Sequence, residues 1–349
     1  MFTPLNNDSE SSATPSSEYG NEAEALAHLN RRLFKIIVSG TLKGGVGKTN
    51  VLFNLAGLTA EELLRELFQE AGLSPKEQDS LLLAAANGDT GQIDKLLTNA
   101  SEKPYRVLII DADPQFNLTN NVGMDVRTPD LKTTQNIFET SDRAAELIYP
   151  GAIKGLPNLD VIPASLFMTK TEINLFNRTG REQIFNNFIN ENIQFLNKYY
   201  RYIFIDTNPN LYVINQNFFL AADHILLVSD TSYNSISGAE FFMALWSELK
   251  KPLRKADNCS AIIVNNYDTR PNDRSKEFLE YCTDPKNEEI VKYMVKEFIP
   301  INARLADTET AHMTINILPT SDSGKKESKE KALASYRNVI SELKERGVL

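Results

Sequence analysis

Lys43-Gly44-Gly45-Val46-Gly47-Lys48-Thr49 follows an apolar run, Leu33 to Val38, and precedes a helical pattern carried by Val51, Leu52, Leu55 and Ala56. Consecutive glycines let backbone N–H groups turn toward one centre without side-chain clash. A helix starting there aims the positive end of its dipole at the same point, which favours an anion. A phosphate chain cradled by Gly44, Gly45, Val46 and Gly47 would place Lys48 at its β- and γ-oxygens. The Thr49 hydroxyl would complete a Mg²⁺ shell, with Asn50 next in line. The strict pattern Gly-x4-Gly-Lys-Thr fails at its first position, which is Leu42. Lys43 is a second cation that an ordinary phosphate loop does not need.

Working outward, short Val/Ile-rich runs recur at Arg106–Ile110, Leu159–Ile162, Tyr202–Ile205, His224–Val228 and Ala261–Val264. They are apolar on both faces and separated by helical stretches. That pattern predicts an α/β fold, a mostly parallel twisted sheet with helices on both faces. Ser39, Asp111, Asp206, Ser229 and Asn265 stand at the carboxyl ends of these runs, the edge where such sheets bind ligands. Between Leu58 and Pro104 the chain holds about 45 residues more than a crossover needs. They read as helices over Thr59–Ala71, closed by Gly72; from Ser74-Pro75 to Asn87; and over Gln92–Ala100. Ser80–Asp89 with Ile93, Leu96 and Leu97 resembles one ankyrin repeat, which cannot bury its apolar face alone. A helical insert at 59–103, packed on the core or on a partner, is therefore expected inside a domain spanning 33–349.

The chain of 349 residues is 42% hydrophobic, enough for a sizeable core, and no apolar stretch is long enough for a spanning helix. Residues 1–32 read as a disordered acidic tail, with Asp8, Glu10, Glu18, Glu22 and Glu24 and few large apolar residues. Net charge is −9, which excludes a strongly basic nucleic-acid binder and leaves any DNA contact to a local patch. Two cysteines, Cys259 and Cys282, exclude a disulfide scaffold and fit a reducing cytoplasm.

Asp111-Ala112-Asp113-Pro114-Gln115 follows the second run. Carboxylates two positions apart at the ligand edge can serve a metal and a nucleophilic water separately. Phosphoryl transfer asks little more than such positioning and charge neutralisation. Ile203-Phe204-Ile205-Asp206-Thr207 reads as a Walker B strand, with Asp206 holding Mg²⁺ through water.

Taken together, the loop with its extra lysine, Asp-x-Asp-Pro-Gln and the Asp206 strand resemble the ParA/MinD family of deviant Walker A P-loop ATPases. The resemblance runs from about Phe34 to Arg346, interrupted by the insert. It implies that ATP and Mg²⁺ bind at the loop, and that Lys43 reaches the partner's ATP in a face-to-face homodimer. It further implies that Asp113 orients the attacking water, while Asp111 and Asp206 lie near the metal with Thr49. Val264-Asn265-Asn266 resembles the segment that faces adenine, and Ile299-Pro300-Ile301-Asn302 the one lining the base from the other side. The family usually continues Thr-Pro-Pro after the Walker B aspartate; here the residues are Thr207-Asn208-Pro209-Asn210.

The branches of that family segregate DNA, place division sites on membranes, or transfer electrons through a cysteine-bound cluster. Neither cysteine has the place or spacing for the last. Leu333, Tyr336, Val339, Ile340 and Leu343 form an apolar stripe with mixed charges around it, which predicts a packed terminal helix and no stable membrane association. The expectation is thus a cytoplasmic, nucleoid-associated partition ATPase. Its ATP-bound dimer would bind DNA non-specifically, through Lys325, Lys326, Lys329, Lys331 and Arg337. A ParB-type centromere-binding protein would stimulate hydrolysis and release. A membrane-associated MinD-like positioning ATPase, or an interaction scaffold working through the insert, are the alternatives.

Overall fold

The computed structural model describes residues 31–100, 103–320 and 322–349. The expected tail therefore lies outside the described residues as far as position 30; Arg32, within them, pairs with Asp223. Among the described residues six strands form one sheet: β1 Lys35–Gly40, β2 Arg106–Asp111, β3 Leu159–Ile162, β4 Tyr200–Asp206, β5 His224–Ser229 and β6 Cys259–Val264. Their order is β3-β2-β4-β1-β5-β6 and every pairing is parallel. The expectation of a mostly parallel sheet is met by one that is parallel throughout.

Alternation along each strand divides two cores. Ile37, Val107, Ile109 and Phe204 face one side, with Leu52, Leu55 and Tyr336. Ile36, Val38, Leu108, Ile110, Ile203 and Ile205 face the other, with Phe218, Phe242 and Trp246. Two covered faces explain why the strands read as unbroken apolar runs.

The helices that position the site are α1 Lys48–Glu70, α2 Pro75–Ala86, α3 Gly91–Asn99, α4 Asn117–Asn121, α5 Met168–Leu175, α6 Ile184–Glu191, α7 Val213–Ala221, α8 Tyr233–Lys250, α9 Ala303–Ala311 and α10 Ser323–Glu345. One boundary differs from the expectation. Thr59 does not open a helix; α1 runs unbroken for 23 residues. The Thr59 hydroxyl donates to the Leu55 carbonyl at 2.8 Å, so a residue that signals a helix start is satisfied inside one. Gly72, with φ +76, ends the turn after α1, where Leu73 N donates to Phe68 O. Ser74 and Pro75 then start α2, and Ser74 N donates to Glu77 Oε2 at 2.8 Å. Helices α2 and α3 bury Ala85 and Ile93 in the same core as α1.

The apolar stripe of α10 faces inward: Leu333, Tyr336, Val339, Ile340 and Leu343 are all buried. No helix of the described residues is long and apolar enough to cross a membrane. Tyr336→Ala is expected to cost about 3–5 kcal/mol, seen as a lower urea midpoint with no gain in vesicle binding.

Candidate functional site

The chain leaves β1 at Gly40 and turns through residues 41–47 into α1. Thr41 Oγ1 accepts from Lys43 N at 3.1 Å, and positive φ values at Gly45 (+80) and Gly47 (+79) fold the loop back on itself. A Cβ at Gly44 or Gly45 would meet open space, so this wall is free to receive a ligand. At Gly47 a Cβ would run into the Asn265 amide. That amide donates to Val46 O at 2.8 Å, and β6 thereby clamps the loop. Asn265, expected at the base, thus grips the loop backbone with Nδ2, while its buried Oδ1 has no partner among the described residues.

At the ends of β1, β4 and α1 lies a buried cation–carboxylate centre. Lys48 Nζ is 2.5 Å from Asp206 Oδ1, Thr49 Oγ1 donates to Asp206 Oδ2 at 2.6 Å, and Ser39 Oγ donates to Oδ1 at 2.9 Å. Asp206 is fully buried and Lys48 nearly so. Asp113 faces the same crevice; burial pushes its carboxyl above the usual range against the pull of Lys48. Its Oδ1 accepts from Gln115 N at 2.9 Å, fixing its direction.

Asp111 is not where the resemblance puts it. Its carboxylate turns from the crevice into the protein, accepting from Thr119 N at 2.8 Å, Thr119 Oγ1 at 2.7 Å and Asp113 N at 3.1 Å. Complete burial, and then the neighbouring charge of Asp206, push it up to about 7. It anchors the loop that carries Asp113 and is not among the crevice-lining residues.

Lys43 lines the crevice and is held within its own chain. Its Nζ donates to Asp230 Oδ2 at 2.8 Å and Ser232 Oγ at 2.7 Å. Arg274 reaches Asp230 from the other side at 3.2 Å. Burial acts upward on Asp230, but the bonds from Lys43 and Ser232 outweigh it and hold the carboxyl below its ordinary value.

The two segments expected at the base do meet: Tyr267 N donates to Ile299 O and Ile301 N to Tyr267 O, which brings Asn266 and the half-buried Pro300 close. Asn266 is exposed, with φ +57. Asn302 is a correction. Its Oδ1 accepts from Arg304 N and Ser328 Oγ, both at 2.9 Å, and its Nδ2 donates to Ser328 O at 2.8 Å. The whole amide is committed to capping α9 and tying it to α10. Asn50 likewise spends its Nδ2 on α9, donating to Leu305 O at 2.9 Å and toward Glu309.

The expected DNA-contact residues divide. Lys325 pairs with Asp322 and Lys331 with Glu327. Half-buried Lys329 donates to Asn316 O at 2.9 Å and Leu318 O at 2.7 Å, and burial lowers its pKa. It is a structural tether, which overturns its assignment to a DNA surface. Lys326 and Arg337 remain exposed and outside any salt bridge among the described residues.

The crevice encloses about 430 Å³ between the loop, Asp113, Gln115, Asn117, Asn121, Pro209 and Glu309. The sequence alone did not point to Asn117, Asn121, Glu309 or the Asp230–Ser232 pair. Ser229-Asp230 at a strand's carboxyl end was the only signal for the last; Asn121 and Glu309 are placed by helix packing alone.

A family model described as an AAA domain matches residues 88–257, downstream of the loop. The uncharacterized protein MJECL24 of Methanocaldococcus jannaschii is 32% identical over 152 residues, 43% of this chain and 57% of that protein, so less than two thirds of its length is spanned. The chromosome partitioning protein ParA of Myxococcus xanthus is 25% identical over 296 residues, covering 83% of this chain and 82% of its own. Among solved structures, the Cyanothece McdA–ATP complex superposes with a TM-score of 0.61 at 17% identity, over 88% of this chain and 97% of that one, a likeness of fold.

Proposed function

We propose that the chain is a P-loop ATPase of the ParA/MinD type that works as a partition-type switch. On this reading it binds Mg-ATP, pairs with a second copy through the nucleotide faces, hydrolyses slowly, and holds DNA without sequence preference only in the ATP state. A ParB-type protein would speed hydrolysis and release. The observation that carries the reading is the convergence of Lys43, Lys48, Thr49 and Asp113 on one crevice, with Asp206 bonded to Lys48 and Thr49 behind it.

The residues fit a magnesium triphosphate. The open wall at Gly44 and Gly45 accepts phosphate, and Thr49 and Asp206 are hard oxygen donors of the kind Mg²⁺ takes, directly or through water. No group of three acidic, His or Cys side chains among the described residues could hold a metal unaided, so the ion would rely on phosphate oxygens. When bound, magnesium neutralises charge developing on the phosphates. The protein's own part is to hold the anion on loop amides, bring Lys48 to it, and fix Asp113 where it can orient a water. Lys43 is clasped by Asp230 and Ser232 within its own chain, so on this reading it reaches a ligand only when that pair opens.

Lys43→Ala is expected to bind nucleotide within about threefold of wild type while losing more than about 100-fold in hydrolysis, and to remain monomeric with ATP by sedimentation. Asp230→Asn should lower the protein concentration at which ATP drives dimerisation. ATP-dependent, salt-sensitive retention of unrelated DNA fragments in a mobility-shift assay would support the switch; retention equal in ATP and ADP would exclude it. The buried stripe of α10 counts against a membrane-positioning role through that helix.

A further inference from the structure

Two cations share one carboxylate beside the crevice. Lys43 Nζ donates to Asp230 Oδ2 at 2.8 Å, while Arg274 reaches the other oxygen, Oδ1, at 3.2 Å. Asp230 follows β5 directly, and its side chain is 14% exposed, against 34% for Lys43 and 57% for Arg274. Its place is fixed locally: Asp230 N donates to Ser235 Oγ at 3.0 Å, and Ser232 N donates to Oδ1 at 2.8 Å. A carboxylate so far withdrawn from water is costly to leave without a counter-ion. Letting Lys43 go would carry that cost if Arg274 were not already in place.

Arg274 is badly placed for its own helix. It lies in the first turn of the helix Asp273–Thr283, whose start is capped by Asn272 Oδ1 accepting from Ser275 N at 2.8 Å. That is the positive end of the helix dipole, where a cation is disfavoured. Asp230 is its one ion-pair partner among the described residues. The guanidinium therefore gains from Asp230 what its helix does not give. Two cations on one carboxylate also weaken each other's hold, since the positive charges repel.

We propose that Arg274 is a positioning residue that acts through Asp230 on Lys43: it loosens the clasp of Lys43 and keeps Asp230 paired when Lys43 leaves. Lys43 is thereby freed for a ligand without stranding a carboxylate at the crevice edge. The consequence for dimerisation rests on the reading of the crevice as a Mg-ATP site; the clasp itself does not.

The clasp is tested in the nucleotide-free full chain by pulse labelling with acetic anhydride and mass spectrometry of Lys43, with exposed Lys76 as reference. Arg274→Ala is expected to slow Lys43 labelling about threefold, and Arg274→Lys to restore most of the rate. Asp230→Asn should speed labelling. Arg274→Ala/Asp230→Asn should match Asp230→Asn alone, because Arg274 then has no carboxylate to act through. The protein concentration at which Mg-ATPγS drives dimerisation should follow the same order. Arg274→Ala raises it about threefold, and has no effect in the Asp230→Asn background. Where Arg274→Ala folds poorly, Arg274→Gln carries the same comparison. Unchanged or faster labelling in Arg274→Ala, or an equal effect of that change in both backgrounds, would overturn the assignment. Labelling in the expected order, from a wild-type chain that never dimerises with nucleotide, supports the clasp and overturns the Mg-ATP dimer reading.

Discussion

Lys48→Ala is expected to abolish useful ATP binding and to destabilise the nucleotide-free protein at once. Lys48 is the counter-charge of Asp206, which is fully buried at the end of β4. Removing it leaves that carboxylate with two hydroxyl donors, from Thr49 and Ser39, and no cation. Breaking a buried pair from one side typically costs about 3–5 kcal/mol. The urea midpoint of the variant should fall accordingly, while ATP affinity drops more than about 100-fold. The double variant Lys48→Ala/Asp206→Asn separates the two effects. It should recover most of the stability, because no buried charge remains, and none of the binding. A single variant as stable as wild type would show that Asp206 does not depend on Lys48.

Gly57→Ala is expected to cost stability although alanine is the better helix former. The glycine lies in the middle of α1, where alanine would ordinarily gain about 0.5–1 kcal/mol. Here a Cβ would stand 2.5 Å from Thr314 Cβ and 2.6 Å from its Oγ1. Thr314 Cβ is fixed to the backbone and no rotation about χ1 moves it, and the side chain is itself fully buried. Overpacking of that kind costs about 3 kcal/mol or more, and the melting temperature should fall by about 5 °C or more. Thr314→Gly in the same chain removes the clashing stem and should restore much of the loss. A Gly57→Ala protein that melts at or above wild type would show that the 313–318 segment can retreat.

The parts legible in the sequence are those that local chemistry dictates. The glycine loop, the strands it joins and the aspartates at their ends follow from residue type and spacing, and Asp113 and Asp206 stand at the crevice or directly behind it. The Ser74-Pro75 helix start is equally local. What was not legible depends on partners far away in the chain. Asn302 suits a base edge as well as a helix cap, and only the arrival of Ser328 commits it. Lys329 reads as a surface charge until the carbonyls of Asn316 and Leu318 gather round it. Asp111 and Asp113 have the same side chain two positions apart, yet Thr119 captures the first and leaves the second to the crevice. Thr59 misleads for a different reason, since a threonine can satisfy its hydroxyl on the preceding turn as readily as it can cap.

The uninterrupted first helix has a mechanical consequence. It is a rod about 35 Å long, with the glycine loop at its head and the 75–99 helix pair packed into the same core. A load placed on the outer helix pair would therefore bear on the same continuous element that carries the glycine loop.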